Sequence, residues 1–500
     1  MNHWLIFPIL IPILAALVIP LFAGKDLALQ RGISLTASLA TMFAGLWMLR
    51  LAAGGEMFTY ALGNWPAPFG IVLVLDGLSA VLVALTGVIG LFALLYAMQG
   101  TDEKGPFFHV LFQMQIAGIC GAFLTGDLFN LFVFFEILLL ASYNLLVFSG
   151  GEKRLRAGVH YVILNLIGSG LFLLAVGTLY GVTGTLNMAH MAVRVSELGA
   201  SETALVQASA LLLIVVFALK AAMLPLYLWL PNVYSSATAP VAALFSVLTK
   251  VGVYAILRTS TLIFGAEAGV AADLLKPYLM PLALLTLVLG WIGAMGSHKL
   301  RKMLGYMIIA SLGLMMASMG LFTTAGISAG IYYMLHSTVV MALMFLLVDL
   351  IARQRGPVDD ALVVGWTPTQ GSMLGVLFFG AVIAAAGLPP LSGFIGKMLI
   401  LQAAIDQPNG FWMWAIVLIT SLIALVALSR AGSLVFFKTD DVPPGESAGR
   451  ASLGDFLPVV GLLVCIALFT AYSGPVTEFT NMTAAQLLEP SFYITNVLGR

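Results

Sequence analysis

Five ionisable side chains lie deep inside apolar stretches of the sequence. They are Glu136, Lys220, Lys250, His336 and Lys397. A lysine or aspartate at the centre of a membrane helix costs about 2.5 to 3.5 kcal/mol on insertion scales. Glu136 lies about 10 Å into its apolar run by helical rise, too deep to reach water by its own length. We expect a chain that retains such costly groups to use them.

The types of these residues suit proton transfer. Burial disfavours the charged form of an acid or an amine, whereas pairing the two favours both charged forms. A lysine whose partner moves away therefore loses its proton more readily. A histidine titrates near neutral pH without much tuning, and internal water can bridge groups that do not touch. The pattern predicts a proton relay through these five side chains.

Simpler interpretations stay open beside the relay. Glu136 and Lys220 would also suit a static ion pair that holds two helices together, although one carboxylate cannot neutralise three buried lysines. His336 could equally be a packing histidine whose hydrogen bonds are satisfied. Asp76 and Asp127 precede apolar runs, so we expect them to be N-caps rather than ligands.

Composition sets the surroundings of these groups. Of 500 residues, 61% are hydrophobic and 9% are charged. Such a chain is an integral membrane protein in contact with lipid, and it has no basic face for nucleic acid. Cys120 and Cys465 lack the paired spacing of a metal or disulfide site and are interpreted as packing residues. No phosphate-binding loop or haem-ligand pattern is present, so we expect no cofactor.

Fourteen apolar runs are long enough to cross a bilayer, which takes about 20 residues per helix. They cover residues 3–23, 32–52, 70–97, 107–125, 129–148, 158–181, 204–230, 238–262, 278–296, 303–322, 326–351, 372–404, 411–437 and 457–475. The predicted fold class is therefore an all-α integral membrane protein with about 14 transmembrane helices.

The seventh and twelfth runs contain prolines that must interrupt a helix. The seventh holds Pro225, and the twelfth holds GLPPLSG at residues 387–393. Paired interruptions of this kind point to a transport site. Because the breaks lie five helices apart, we expect two inverted five-helix repeats. The predicted units are residues 1–106 with helices 1–3, 107–262 with helices 4–8, 278–438 with helices 9–13, and 455–500 with helix 14 and a tail.

Basic residues are unevenly divided between the two sets of connections. Connections after odd-numbered runs contain Lys25, Arg31, Lys104, Lys153, Arg154, Arg156, Lys299, Arg301, Lys302, Arg353, Arg355, Lys438 and Arg450. Connections after even-numbered runs contain Arg50, Arg194, Arg258, Lys276 and Arg500. By the positive-inside rule, we expect both termini to face outside.

Several of these motifs resemble one family. Residues 127–136, DLFNLFVFFE, resemble the helix 5 signature of the antiporter-like subunits shared by respiratory complex I and multisubunit cation/proton antiporters. The segment from Lys220 through Lys250 is similar to the family's helices 7 and 8, and GLPPLSGF before Lys397 is similar to its broken helix 12. The resemblance covers about residues 70 to 440, and within the family it is greatest to the D-type subunits of Mrp-type Na⁺/H⁺ antiporters.

The resemblance implies roles for the five residues. It implies the 14-helix inverted-repeat fold, with Glu136 modulating Lys220, Lys250 and His336 passing protons, and Lys397 at the terminal gate. Relatives often carry a lysine about four residues after the histidine, where this chain has Val340 and Met341. This difference leaves His336 to serve alone at the centre of the relay.

The resemblance also implies assembly with other membrane subunits in a prokaryotic cell membrane. Since Glu136 is the only acid expected to be well buried, the proton is favoured over Na⁺ as the bound ion, and Na⁺ would pass through a partner subunit. Two alternatives stay open: a proton-pumping subunit of complex I or of a membrane-bound hydrogenase, and a structural scaffold without transport of its own.

Overall fold

The computed structural model describes residues 2–443 and 449–499, so Arg500 of the charge pattern lies outside the described residues. The first half of the chain forms α1 (Phe7–Val18), α2 (Leu27–Ala52), α3 (Gly77–Ala97), α4 (Phe108–Leu124), α5 (Leu128–Val147), α6 (Glu152–Thr183), α7 (Met188–Ser196), α8 (Thr203–Ala221), α9 (Trp229–Ser236), α10 (Ala239–Phe245) and α11 (Leu248–Leu262). The second half forms α12 (Lys276–Met295), α13 (Leu300–Met319), α14 (Thr324–Arg353), α15 (Gly371–Ala386), α16 (Ser392–Ala403), α17 (Gly410–Gly432), α18 (Leu453–Ala471), α19 (Ser473–Leu488) and α20 (Pro490–Leu498).

The all-α prediction is confirmed. Within the described residues, 12 helices are long and apolar enough to cross a membrane, and Phe108–Leu124 and Gly371–Ala386 are shorter apolar helices. Together they overlap the predicted apolar runs one by one. Uninterrupted apolar sequence leaves the backbone no partner but itself in lipid, which is why hydropathy locates these helices.

Some predicted boundaries are wrong. The third run begins in a strand, since β1 (Phe58–Ala61) pairs antiparallel with β2 (Val72–Leu75) before α3 starts. The eighth run is interrupted between α10 and α11. Helices α7, α19 and α20, which follow or separate the apolar runs, were not predicted. Two further short strands, β3 (Gly365–Trp366) and β4 (Thr439–Asp440), pair in parallel.

Helix α14 is the axis of the fold. It spans 30 residues and is buried along most of its length. It packs against α10, α13, α15, α16, α18 and α19. Helix α14 therefore contacts elements of both halves of the chain, and His336 lies near its middle.

Two predicted N-caps are confirmed, and one of them, Asp76, also forms a buried ion pair. Asp127 caps α5 by accepting from the backbone of Asn130, and Asp76 caps α3. Asp76 also accepts a 2.5 Å hydrogen bond from Arg258, whose guanidinium lies 5.4 and 5.0 Å from the ring centres of Tyr254 and Tyr493. Arg258 was predicted to lie in a connection, but it is a buried residue of α11. The paired acid and the two rings allow its charge to be buried.

Ion pairs also fasten the opposite end of the bundle. Arg301 binds Asp349 at 3.1 Å, and Arg353 binds Asp349 at 2.7 Å and Asp455 at 3.0 Å. These contacts join α13, α14 and α18. Between the two ends, the contacts are mostly apolar, so the few buried polar groups of the middle layer stand out.

Candidate functional site

The first helix break lies directly after Lys220. Helix α8 ends at Ala221, and Ala222 takes a left-handed conformation with φ 61° before residues 223–228 run without regular helix. The indole of Trp229 donates to the carbonyl of Leu219 at 3.3 Å, and the backbone N–H of Leu224 donates to the Thr286 hydroxyl at 3.1 Å. Neighbouring side chains thus satisfy backbone groups that the break frees.

Lys220 and Glu136 are linked through α6 rather than by a direct ion pair. Lys220 is 5% exposed, and its ammonium donates to the side-chain oxygen of Asn165 at 3.1 Å. The Glu136 carboxylate accepts from the Ser169 hydroxyl. Asn165 and Ser169 lie one helical turn apart, so α6 places one polar group against each ionisable partner. The alternative of a static Glu136–Lys220 ion pair is wrong for this structure.

Lys250 is fully buried at the interruption of the eighth run. Its ammonium donates to the Thr249 hydroxyl at 3.3 Å. Gly252 brings α11 against the end of α8, because a side-chain carbon at this position would lie 2.6 Å from the backbone nitrogen of Ala221. The close approach joins α11, the helix of Lys250, to the end of α8 that carries Lys220.

The second break binds both His336 and Lys397. Helix α15 ends at Ala386, and Gly387 leaves it with φ 73°. The freed carbonyl of Ala386 accepts from the Lys397 ammonium at 2.7 Å, and the Ala384 carbonyl lies 3.2 Å from Nε2 of His336. The carbonyl end of a helix carries partial negative charge, so its oxygens suit hydrogen bonds from these two groups.

Hydroxyl groups complete the second site. Nδ1 of His336 lies 2.8 Å from the Ser392 hydroxyl, and the Lys397 ammonium donates to the Ser421 hydroxyl at 2.9 Å. His336 is therefore hydrogen-bonded at both ring nitrogens, as the packing interpretation requires. The same two contacts would also serve a proton carrier, since both nitrogens face polar atoms at the helix break.

A small cavity lies next to His336, at Val340 and Met341. It measures about 20 Å³, and its lining includes Val340, Met341, Ser311, Ser337 and the imidazole of His336. This volume is enough for one water molecule with polar neighbours. A larger and mostly apolar groove of about 670 Å³ reaches the same histidine and Ser392 from another direction.

The predicted residues fall in adjacent elements, but hydrogen bonds do not join them into one chain. The Ser246 hydroxyl, between α10 and α11, donates to the Thr338 carbonyl on α14 at 3.3 Å and links the Lys250 region to the helix of His336. Between Lys220 and Lys250, and between Lys250 and His336, no direct side-chain hydrogen bond is found in the described part of the chain. The continuous relay stays a prediction.

The expectation that Glu136 is the only well-buried acid is wrong. Glu136 is half-buried, whereas Asp76 and Asp102 are each 2% exposed and Asp127 is 6% exposed. These aspartates lie at helix ends, where caps and ion pairs bury acids that a hydropathy pattern places at the surface. Across residues 2–443 and 449–499, no group of three or more His, Cys, Asp or Glu residues is arranged to hold a metal ion.

The predicted set lacks five polar residues that contact the ionisable groups, namely Asn165, Ser169, Thr249, Ser392 and Ser421. Asn165 and Ser169 have the spacing of one helix face, and this spacing within an apolar run was the available signal. Ser421 has no such signal, because a serine in a membrane helix is common and its contact with Lys397 depends on the packing of α17 against α16.

Comparisons with known proteins agree on one family. The family described as NADH:quinone oxidoreductase/Mrp antiporter, TM, matches residues 125–424. The chain is 37% identical to the D subunit of a probable K⁺/H⁺ antiporter of Rhizobium meliloti, covering 100% of this chain and 98% of the relative. It is also 37% identical to the D subunit of a Na⁺/H⁺ antiporter of Alkalihalophilus pseudofirmus, with 100% of both chains covered. A chain in the Mrp complex of Dietzia sp. DQ12-45-1b matches with a TM-score of 0.90 and 26% identity over 100% of both chains.

Proposed function

The chain belongs to the NADH:quinone oxidoreductase/Mrp antiporter transmembrane family, and we propose that it is the proton-translocating D-type subunit of a multisubunit cation/proton antiporter. Relatives that match this chain over its full length are named as D subunits of Na⁺/H⁺ or K⁺/H⁺ antiporters. The chain crosses the membrane many times, and we place it in a prokaryotic plasma membrane with other membrane subunits around it.

One observation carries the proposal: two buried lysines lie at the two helix breaks. Lys220 occupies the last turn before the first break, and Lys397 donates to a carbonyl that the second break frees. Each ammonium is held by neutral oxygens, so its charge is solvated without being fixed by a carboxylate. Such a lysine can give up its proton when a nearby charge changes.

The relay then runs along the middle of the bundle. A change of charge at Glu136 acts on Lys220 across the polar face of α6. The proton passes by way of Lys250 and His336, with water in the small cavity beside Val340 and Met341 as a bridge, and Lys397 is the terminal gate. Ser169, Asn165 and Ser421 hold the ionisable groups in place.

The transported cation has a separate route in this proposal. Na⁺ and K⁺ bind best to several hard oxygen ligands, and the middle layer supplies lysines and a histidine instead. We therefore assign proton movement to this chain and cation passage to a partner subunit.

Replacing Lys220 tests the proposal directly. In membrane vesicles that contain the whole antiporter complex, Lys220→Ala is expected to reduce cation/proton antiport to the level of vesicles without the complex, because it removes the buried amine at the first break. Lys25→Ala, at an exposed loop position, is the matched control and should leave antiport unchanged. Undiminished antiport by an assembled Lys220→Ala complex would favour the scaffold alternative.

The family description also includes NADH:quinone oxidoreductase, so a redox-coupled proton pump is the second candidate. The same relay would serve either complex, and only the partner subunits differ. Mass spectrometry of the purified complex decides between them: antiporter subunits support the first proposal, and redox subunits with a quinone site support the second.

A further inference from the structure

A basic groove lies at one end of the bundle, apart from the buried lysines. It has a volume of about 1050 Å³ and lies between the first turns of α6, the short helix α9 and the start of α13. Its basic lining residues are Lys153, Arg156, His160, Lys299 and Lys302. Glu152 is the acidic lining residue, so positive charge dominates the groove.

The three lysines of the groove differ from its arginine in their partners. Arg156 pairs with Glu152 at 2.9 Å. In the described part of the chain, Lys153, Lys299 and Lys302 have no carboxylate within 4 Å. Arg301 next to them binds Asp349 and two further aspartates. The fold therefore neutralises the arginine and leaves three lysine charges directed at one open groove.

An apolar stripe continues from the basic groove along α6. Leu155, Val159 and Ile163 line the groove at intervals of four residues and are 60%, 52% and 53% exposed. Residues at this spacing share one helix face, and the stripe extends about 12 Å along the axis. In a membrane, this face of α6 contacts acyl chains, and the first turn of α6 carries basic side chains of the groove.

We propose that the basic groove binds an anionic phospholipid, with its phosphate among Lys153, Lys299 and Lys302 and an acyl chain along Leu155, Val159 and Ile163. Lysine binds phosphate as a point charge, and basic pockets between membrane helices suit acidic headgroups. A free phosphate ion would use the lysines but not the apolar stripe. The joined basic and apolar surfaces therefore select a membrane lipid.

Photo-crosslinking in the whole complex tests this site. A photoreactive benzoylphenylalanine at Ile163 is irradiated in vesicles of phosphatidylcholine with a minor share of phosphatidylglycerol, and the adducts are weighed by mass spectrometry. We expect phosphatidylglycerol adducts in excess of their share of the vesicle. Lys153→Gln/Lys299→Gln/Lys302→Gln should reduce that excess by about tenfold or more, because each lysine near the membrane surface strengthens the binding of an anionic lipid.

A matched triple variant controls for total charge. Lys25→Gln/Lys104→Gln/Lys438→Gln removes the same charge from exposed positions outside the groove and should keep the excess. If the groove variant fails to assemble, salt is added to the complex that keeps its three groove lysines. The excess of phosphatidylglycerol adducts should then fall, because salt screens exposed charges. Three outcomes would each overturn the proposal. The adducts could follow the composition of the vesicle, the excess of phosphatidylglycerol adducts could persist despite both the lysine changes and the salt, or the crosslink could form to a partner protein.

Discussion

The partner of a buried lysine decides whether its proton can move. A carboxylate in contact with Lys220 would hold the ammonium charge in place, whereas the amide oxygen of Asn165 accepts a hydrogen bond without adding an opposite charge. Glu136 is held one helical turn away by Ser169. Its charge can therefore act on Lys220 through the low-dielectric interior without forming a permanent pair.

Asn165 is accordingly expected to be needed for transport. Asn165→Leu keeps the approximate size of the side chain but removes the acceptor of Lys220. A hydrogen bond to a charged group contributes about 1.5 to 3 kcal/mol, so antiport in vesicles should fall about tenfold or more. Asn144→Leu on the exposed face of α5 is the control. Equal antiport by the two variants would mean that the Asn165 contact does not serve the relay.

At the residue scale, sequence reasoning finds ionisable groups better than their partners. Lys220 and Lys397 are conspicuous because a charge in an apolar run is rare. Asn165 and Ser421 are not conspicuous, since polar uncharged residues are common in membrane helices and only packing shows which of them reach a lysine. The lack of a direct Glu136–Lys220 ion pair has a similar reason. Sequence gives the depth of a residue in the membrane but not the direction in which its side chain points.

At the scale of the element, a helix break is useful because it frees backbone carbonyls inside the membrane. The end of α15 turns the freed carbonyl of Ala386 toward Lys397. The Ala384 carbonyl, which also accepts from the Gly387 N–H, lies next to His336. Gly387 makes the turn possible with its positive φ, and the stem of Lys397 packs directly over it. The position of the lysine thus depends on the absence of a side chain at 387.

Gly387→Ala should displace Lys397. A methyl group there would lie 2.8 Å from Cδ of the lysine, and an L-residue at φ 73° costs about 1 to 2 kcal/mol. We expect antiport to fall severalfold while the complex still assembles. Gly177→Ala on α6 meets nothing within 4 Å and is the matched control. Full antiport by Gly387→Ala would show that Lys397 does not need its observed position.

The loop between α3 and α4 contains a buried acid, Asp102. Asp102 accepts two hydrogen bonds from Arg31 on α2, at 2.7 and 2.8 Å, and lies 3.1 Å from Nε2 of His109 on α4. Burial by itself would raise the pKa of the Asp102 carboxyl, but these hydrogen bonds outweigh it and hold the pKa below its ordinary value.

Because this pKa is lowered in the folded protein, the stabilisation is present above the ordinary aspartate pKa of about 3.9 and is lost as the pH falls below it. The melting temperature of the detergent-solubilised protein should therefore decline below about pH 4. Asp102→Asn should cost about 3 kcal/mol at neutral pH and flatten that decline. Glu103→Gln removes an exposed partner of Arg31 and should change stability by less than about 1 kcal/mol.

Elements differ in how well the sequence predicts them. The apolar runs match helices because hydropathy averaged over about 20 residues reports membrane crossing. Strand β2 was assigned to the third helix because its residues are as apolar as those of α3. Helix α19 contains many polar residues, and α20 has nine residues, so neither resembles a membrane span. The interruption between α10 and α11 carries no proline or glycine to reveal it.

At the scale of the whole molecule, the basic connections lie at a common end. Arg31 binds Asp102 across the first and third connections, and Arg301 and Arg353 share Asp349 across the ninth and eleventh. The Arg258–Asp76 pair fastens the opposite end. The connections that are rich in basic residues therefore lie on one side of the structure, as the positive-inside rule requires of an oriented membrane protein. The inverted repeats and the fourfold division of the chain stay predictions.

Orientation can be tested by labelling single cysteines with a membrane-impermeant maleimide in intact cells, in a background with Cys120 and Cys465 replaced. Lys25→Cys is in the first basic connection and should react only after the membrane is permeabilised. Asn496→Cys is exposed on α20, and Asn64→Cys lies in the connection after α2; both should react in intact cells. An even number of crossings puts the two termini on one side of the membrane. Labelling of Lys25→Cys alone in intact cells would therefore show the opposite orientation, with both termini inside. The basic groove would then face outside, where the positive-inside rule does not place it.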